Sequence, residues 1–150
     1  MQISFQPIKP EDVEKIFQFQ KELIERYEDL SSINCEKVFA WCKKKIQVTM
    51  QDYRRIMVGK ELAGYFALHK EASGEWELDD LYLFPQFQNQ GIGAALMEYA
   101  KQEHRADHLW VLEKNERAIR FYEAHGFSLS GQRRLEAGTT EYVIKMLAIE

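Results

Sequence analysis

The stretch Glu77–Leu96, ELDDLYLFPQFQNQGIGAAL, decides how the rest of the chain is read. It begins as a strand, turns at Pro85, passes through a polar loop and enters a helix by way of Gly91 and Gly93. A strand–loop–helix of this kind leaves several backbone N–H groups free at the helix N-terminus. Those donors, with the positive end of the helix dipole, form a ready site for a phosphate group.

Working outward, the period changes on both sides. Upstream, Arg55–Val58, Leu62–His69 and Trp76–Phe84 read as strands joined by turns at Gly59-Lys60-Glu61 and Ser73-Gly74, with Gly64 a candidate bulge. These connections are too short for crossover helices, so the three strands form an antiparallel meander. Farther back, Ile3 and Phe5 mark a first strand. Pro10-Glu11-Asp12 opens a long helix carrying Val13, Ile16, Phe17, Phe19, Leu23, Ile24 and Tyr27, and Asn34 caps a second. That second helix carries the stripe Val38, Phe39, Trp41, Cys42 and Ile46, read as core-facing.

Downstream, Ile92, Leu96, Tyr99 and Ala100 share a helix face, and His108–Leu112 is a short apolar run that suits a buried strand. Asn115 caps a further helix with Ala118, Ile119 and Tyr122 turned inward, and Gly126 sits where a helix C′ glycine belongs. Phe127–Leu129 and Tyr142–Leu147 close the sheet as a hairpin around a polar loop from Gly131 to Thr140. The expected order is β-α-α-β-β-β-α-β-α-β-β: an α+β fold with a mixed, mostly antiparallel sheet and helices on both faces. Residues 1–150 are expected to form one domain. The parallel pair should be the strands ending at Leu83 and Leu112, with a ligand entering where their carboxyl ends separate.

Composition narrows the function. The chain has 150 residues, 45% of them hydrophobic and 13% aromatic, and a formal charge of −4. That balance argues against nucleic acid, which favours a basic face, and suits a cationic acceptor such as an amine. Cys35 and Cys42 are seven apart in one helix, about 10 Å along its axis and beyond disulfide reach. With no zinc-ligand cluster, the chain reads as reduced, cytoplasmic and metal-free. The start MQISFQPIKP lacks the pattern of a signal peptide, and no run nears ~18 apolar residues, so no membrane association is expected.

Glycine pairs alone are weak signals. A P-loop is excluded because Gly93 is followed by Ala94-Ala95 rather than Lys-Ser/Thr. A dinucleotide fingerprint is disfavoured by Leu96 at its sixth position and by the loop between strand and glycine, although Glu113 lies near its acidic position. The segment Gln88-Asn89-Gln90-Gly91-Ile92-Gly93-Ala94 does match the Q/R-x-x-G-x-G/A signature of the GCN5-related N-acetyltransferases (GNAT). The segment Asn115–Phe127 resembles that family's second signature, in which an Asn opens a helix ending in Tyr-x-x-x-Gly-Phe. The resemblance is strong from about Glu75 to Phe127 and rests on element order before that.

The resemblance implies acetyl-coenzyme A as acyl donor. The amides of Gln88, Asn89, Gln90, Gly91, Ile92, Gly93 and Ala94 would cradle the pyrophosphate. Leu81, Tyr82 and Leu83 would pair with the pantetheine arm as an added strand. Asn115 would bond that arm, with Ala118, Phe121 and Tyr122 beside it. Tyr122 stands where the family commonly places the acid for the departing thiolate. Arg117 and Arg120 read as exposed helix residues, of which Arg117, or else Lys114, could reach coenzyme phosphates.

A protonated amine also needs a base, and Glu77, Asp79 and Asp80 are the candidates on the signature strand. By period two, Glu77 and Asp79 share one face and Asp80 takes the other. Glu77 falls where histone-acetylating members carry their catalytic Glu. No cysteine is expected near the signature strand or the Asn115 helix, so a covalent acyl-enzyme is not suggested. His104 and His108 read as surface residues, and the stripe from Phe17 to Trp41 as core that could also wall the acceptor site. The expectation is an N-acetyltransferase acting on a small-molecule or peptide amine by direct transfer. A homodimer is compatible with it. The alternative is a non-catalytic acyl-CoA-binding sensor of the same fold.

Overall fold

A computed structural model describes residues 2–103 and 105–149. The elements in order are β1 (Ile3–Pro7), α1 (Asp12–Tyr27), α2 (Cys35–Val48), β2 (Tyr53–Val58), β3 (Glu61–Lys70) and β4 (Trp76–Leu83). They continue as α3 (Ile92–Glu103), β5 (His108–Leu112), α4 (Glu116–Ala124), β6 (Phe127–Leu135) and β7 (Tyr142–Ala148). This is the order expected from the periodicities. The strands form one sheet in the order β1-β2-β3-β4-β5-β7-β6. β4 and β5 are its parallel pair, and the other neighbours run antiparallel.

Alternation along β3 sorts the helices to the two faces. Tyr65 and Ala67 pack with Val13 and Ile16 of α1 and Ile46 of α2. Phe66 and Leu68 belong to the opposite core, with Ile92, Leu96, Met97 and Ala100 of α3 and with Ala118 and Phe121 of α4. Leu96 is wholly buried. Truncating such a side chain to Ala costs about 2–5 kcal/mol.

Local capping follows the residue types. Asn34 accepts from Lys37 N at 3.1 Å, Asn115 accepts from Ala118 N at 3.2 Å, and Gly126 ends α4 with φ +91°. Asp12 does more than favour the helix dipole. Fully buried, it accepts from Lys9 N (2.8 Å) and Tyr65 Oη (2.7 Å) and is ion-paired with Arg55, whose Nε lies 3.1 Å away, fastening α1 to the sheet.

Two irregularities in β4 and its neighbours create the site. Tyr65 pairs with Tyr82 and Ala67 with Asp79, so Phe66 alone faces the two residues Asp80 and Leu81. This is a β-bulge, and Asp80 occupies it with φ +50°. Nearby, a Cβ at Gly64 would overlap the Tyr82 carbonyl, so glycine is required for β3 and β4 to stay in contact past the bulge. On the other side, β4 pairs with β5 only through Glu77–His108 and Leu78–Leu109. Beyond Leu78 the two strands separate.

Several sequence expectations are corrected. β6 continues to Leu135 because an irregularity between Leu129 and Arg133, with Gly131 at φ +86°, absorbs the polar Gly131-Gln132 pair. Arg133 and Arg134 then lie over the rings of Tyr142 and Trp110. His108 is not a surface residue. It is buried in β5, with Glu71 at 2.7 Å from Nε2 and Asp107 at 2.5 Å from Nδ1. His104 lies outside the described residues. Trp41 is 49% exposed rather than core. Among the described residues no helix is long and apolar enough to cross a membrane.

Candidate active site

The first wall of the site is the loop and helix start after β4. Gln88 donates through Nε2 to Leu83 O (3.0 Å) and accepts from Arg117 Nη2 (3.1 Å), tying the loop to both β4 and α4. Gln90 Nε2 donates to Gln86 O at 2.7 Å, and Asn89 and Gly91 adopt φ +61° and +79°. The first bond of α3 runs from Ala95 N to Gly91 O at 3.1 Å. The N–H groups of Ile92, Gly93 and Ala94 therefore have no acceptor within the helix. A Cβ on Gly93 would lie 2.8 Å from the Phe121 ring, so glycine lets the α3 start seat against α4.

Among the described residues, Leu81, Tyr82 and Leu83 have no ladder partner on the β5 side, where β4 has parted from β5. An extended ligand fits that open edge by strand addition. Asn115 spends Oδ1 on the cap of α4, which leaves its Nδ2 protons for the cleft. Free helix-start donors, an unpaired strand edge and a glycine cradle together suit a phosphate joined to an extended amide chain, as in coenzyme A.

These parts line one cleft of about 840 Å³. Leu81, Tyr82, Leu83, Gln88, Asn89, Gly91, Gly93, Ala94, Asn115, Ala118, Phe121 and Tyr122 all reach it. Ile92 has its side chain in the core and offers the site only its backbone. Gln90 is exposed, and its amide is taken up by Gln86.

The second wall comes from the opposite end of the sequence. Phe19, Gln20 and Leu23 of α1 and Trp41, Cys42 and Lys45 of α2 face Asp79 and Asp80 across the cleft. Phe19 stacks on Tyr82 with centroids 3.7 Å apart, closing α1 against β4. Here the period-two expectation fails for Asp80. The bulge turns its side chain to the α1 face, and Oδ2 accepts from Tyr53 Oη (2.5 Å) and Gln20 Nε2 (2.7 Å). Glu77, two residues before Asp79, is absent from the cleft wall. Its cross-strand partners are His69 and His108.

The electrostatics separate the carboxylates. Burial would raise Asp79, but the His69 hydrogen bond and the charges of Lys45 and His69 outweigh it and hold it below the usual range. Burial and the charge of Asp79 push Asp80 up to about 7, against the bonds from Tyr53 and Gln20. Glu77 is raised by burial and by Asp79. Burial, then the charges of Asp79 and Asp80, raise the Tyr122 phenol, so it stays protonated well above neutral pH.

One cysteine does reach the cleft, which sequence distance concealed. Cys42 is pushed up to about 11 by burial and by Asp80, so it is a thiol and a poor nucleophile at neutral pH.

Residues 16–127 match the sequence model of the acetyltransferase (GNAT) family. The peptidyl-lysine N-acetyltransferase YiaC of Escherichia coli K12 is 43% identical over 49 residues, 33% of this chain and 34% of that protein. An uncharacterised N-acetyltransferase of Mycobacterium bovis is 35% identical over 82 residues, 51% of this chain and 53% of the relative. The chain thus spans about a third to about half of the length of these curated relatives.

Among solved structures, apo YjaB of E. coli superposes with TM-score 0.70 at 18% identity, over 99% of both chains. The PaiA N-acetyltransferase of Thermoplasma acidophilum, in complex with coenzyme A, gives 0.64 at 19% identity, over 97% of this chain and 98% of that one. At such identities the likeness is one of fold. The family match runs from α1 into β6 and takes in both walls of the cleft, and the chain belongs to the acetyltransferase (GNAT) family.

Proposed function

We propose that the protein transfers an acetyl group from acetyl-coenzyme A to a primary amine, directly, within a ternary complex. The observation that carries this reading is the bulge at Asp80. It aims a carboxylate raised to about 7 into the same cleft as the free N–H groups of α3 and the open edge of β4.

Bound along that edge, acetyl-coenzyme A would supply the acetyl group as a thioester. The chain's own residues then divide the work. Amines with pKa near 10 arrive protonated, and only the free amine is a nucleophile. Asp79, Asp80, Glu28 and Glu136 offer such a cation carboxylate partners, in a wall that also carries Arg26, Lys45, Arg117 and Arg120.

Asp80 takes the proton. Its Oδ2 is occupied by Tyr53 and Gln20, which leaves Oδ1 to face the acceptor. Backbone N–H groups around Leu81–Leu83 would stabilise the developing oxyanion, and the Tyr122 hydroxyl would return a proton to the departing sulfur. We therefore assign the base to Asp80 and give Glu77 only a share in the local field. The acceptor named for the E. coli relative, a peptidyl-lysine, is an amine of the required kind.

The test is thiol release from acetyl-coenzyme A with a panel of polyamines, amino acids, aminoglycosides and lysine peptides. One or more members should release thiol and gain one acetyl group per thiol. Tight acetyl-coenzyme A binding with no acceptor-dependent release across the panel would instead identify a sensor.

A further inference from the structure

We propose that Asp52 and His69 form a positioning relay that acts through Asp79 to hold Asp80 in its proton-accepting geometry. The proposal rests on Asp80 being the base. The chain of contacts is continuous from the protein surface to the cleft. Asp52 Oδ2 lies 2.8 Å from His69 Nδ1, and His69 Nε2 lies 3.0 Å from Asp79 Oδ2. The other oxygen of Asp79, Oδ1, accepts from the backbone N–H of Asp80 at 2.9 Å. That last bond fastens the residue whose φ of +50° makes the bulge.

An imidazolium suits this place because it donates from opposite sides of a rigid ring, so both carboxylates are bound at once. Burial alone would lower His69, but hydrogen bonds and charges from Asp79 and Asp52 bring it up to about 9, so the ring carries its charge at neutral pH. Titratable and polar groups of β4, β2, α2 and α1 face the relay. Glu77 is the cross-strand neighbour of His69 on β4, and the Tyr53 ring of β2 meets His69 edge-on at 6.0 Å. Lys45 of α2 lies 3.8 Å from Asp79 Oδ2. On Asp80 itself converge Tyr53, Gln20 of α1, Lys45 and the charge of Asp79.

With His69 gone, Asp79 loses a charged donor and is free to rotate away from the Asp80 N–H. Asp79 and Glu77, which the His69 charge holds down, then keep a proton to higher pH, so the Asp79–Asp80 pair taken together loses its protons later.

The test is the pH profile of kcat/KM with the best amine of the panel, for the wild type, His69→Gln, Asp52→Asn and Asp80→Asn. His69→Gln should move the acid limb upward by about one pH unit. It should also lower kcat about tenfold at pH 7 while leaving the Kd of acetyl-coenzyme A unchanged. Asp52→Asn, at the solvent end, should shift the limb the same way by less, and it carries the test alone if His69→Gln does not fold. A limb that stays in place in the folded variants, with only a lower Tm, would overturn the relay and leave the base assignment standing. A wild-type rate in Asp80→Asn would overturn the base assignment itself, whatever His69→Gln does.

Discussion

The donor wall and the acceptor wall of the cleft are built on different plans. The donor wall is nearly all backbone, supplied by one run, residues 81–94, and the start of α4. Its donors are N–H groups that any residue would have, and its special demands are glycines at 91 and 93 and an Asn cap at 115. The acceptor wall is side chains gathered from across the sequence. Gln20, Lys45, Tyr53, His69 and Asp80 come from α1, α2, β2, β3 and β4 and meet only when the sheet is formed. A backbone site can be preserved while the acceptor wall is rewritten residue by residue. The family match takes in both walls, and the proposed donor is read from the backbone one and the proposed acceptor class from the side-chain one.

That contrast can be broken by substitutions on either side. On the donor wall, Gly93→Val should weaken acetyl-coenzyme A binding at least about tenfold, or about 1.4 kcal/mol, because its side chain would press on the Phe121 ring. Calorimetric titration checks this, and an unchanged Kd in a folded variant would remove Gly93 from the cradle.

On the acceptor wall, Asp80→Asn should stabilise the protein in a pH-dependent way. A carboxyl raised to about 7 in the folded state adds stability below its unfolded value near 3.8, and that stability is lost as pH rises through about 7. Removing its ionisation should therefore raise Tm by a few degrees at pH 8 relative to wild type, and by less at pH 5. Equal melting curves at both values would place Asp80 in an ordinary environment. The smallest effect is expected at the rim. Trp41 is half-exposed, with Lys45 Nζ 5.6 Å from its ring centroid. Trp41→Ala should raise KM for the acceptor a few-fold and leave the coenzyme Kd alone, as steady-state titration of each substrate would show.

The same contrast explains what could be read from the residues alone. Element order follows from local periodicity, and the donor motif is a contiguous string, so both were legible from Gln88–Ala94 and Asn115–Phe127. The acceptor wall was not, for three physical reasons. Strict alternation puts Asp79 and Asp80 on opposite faces, and only the register of Phe66 against two residues of β4 reveals that both line the cleft. An apolar helical stripe does not say whether it meets a core or a cavity, so Trp41 and Cys42 read alike although one is exposed and the other buried. His69 gave no local signal either, since its partners are 17 and 10 residues away. Its position opposite the acidic strand was the one clue available.

The most direct test of the account is the pH dependence of kcat/KM for wild type and Asp80→Asn with a single amine acceptor. The amine's own ionisation, near 10, gives both enzymes the same slope. With Asp80 as the base, the wild type should show an additional acid limb with a midpoint near 7, lost in Asp80→Asn together with about 10²–10³-fold of the rate. An Asp80→Asn enzyme that keeps both the limb and the rate would contradict it.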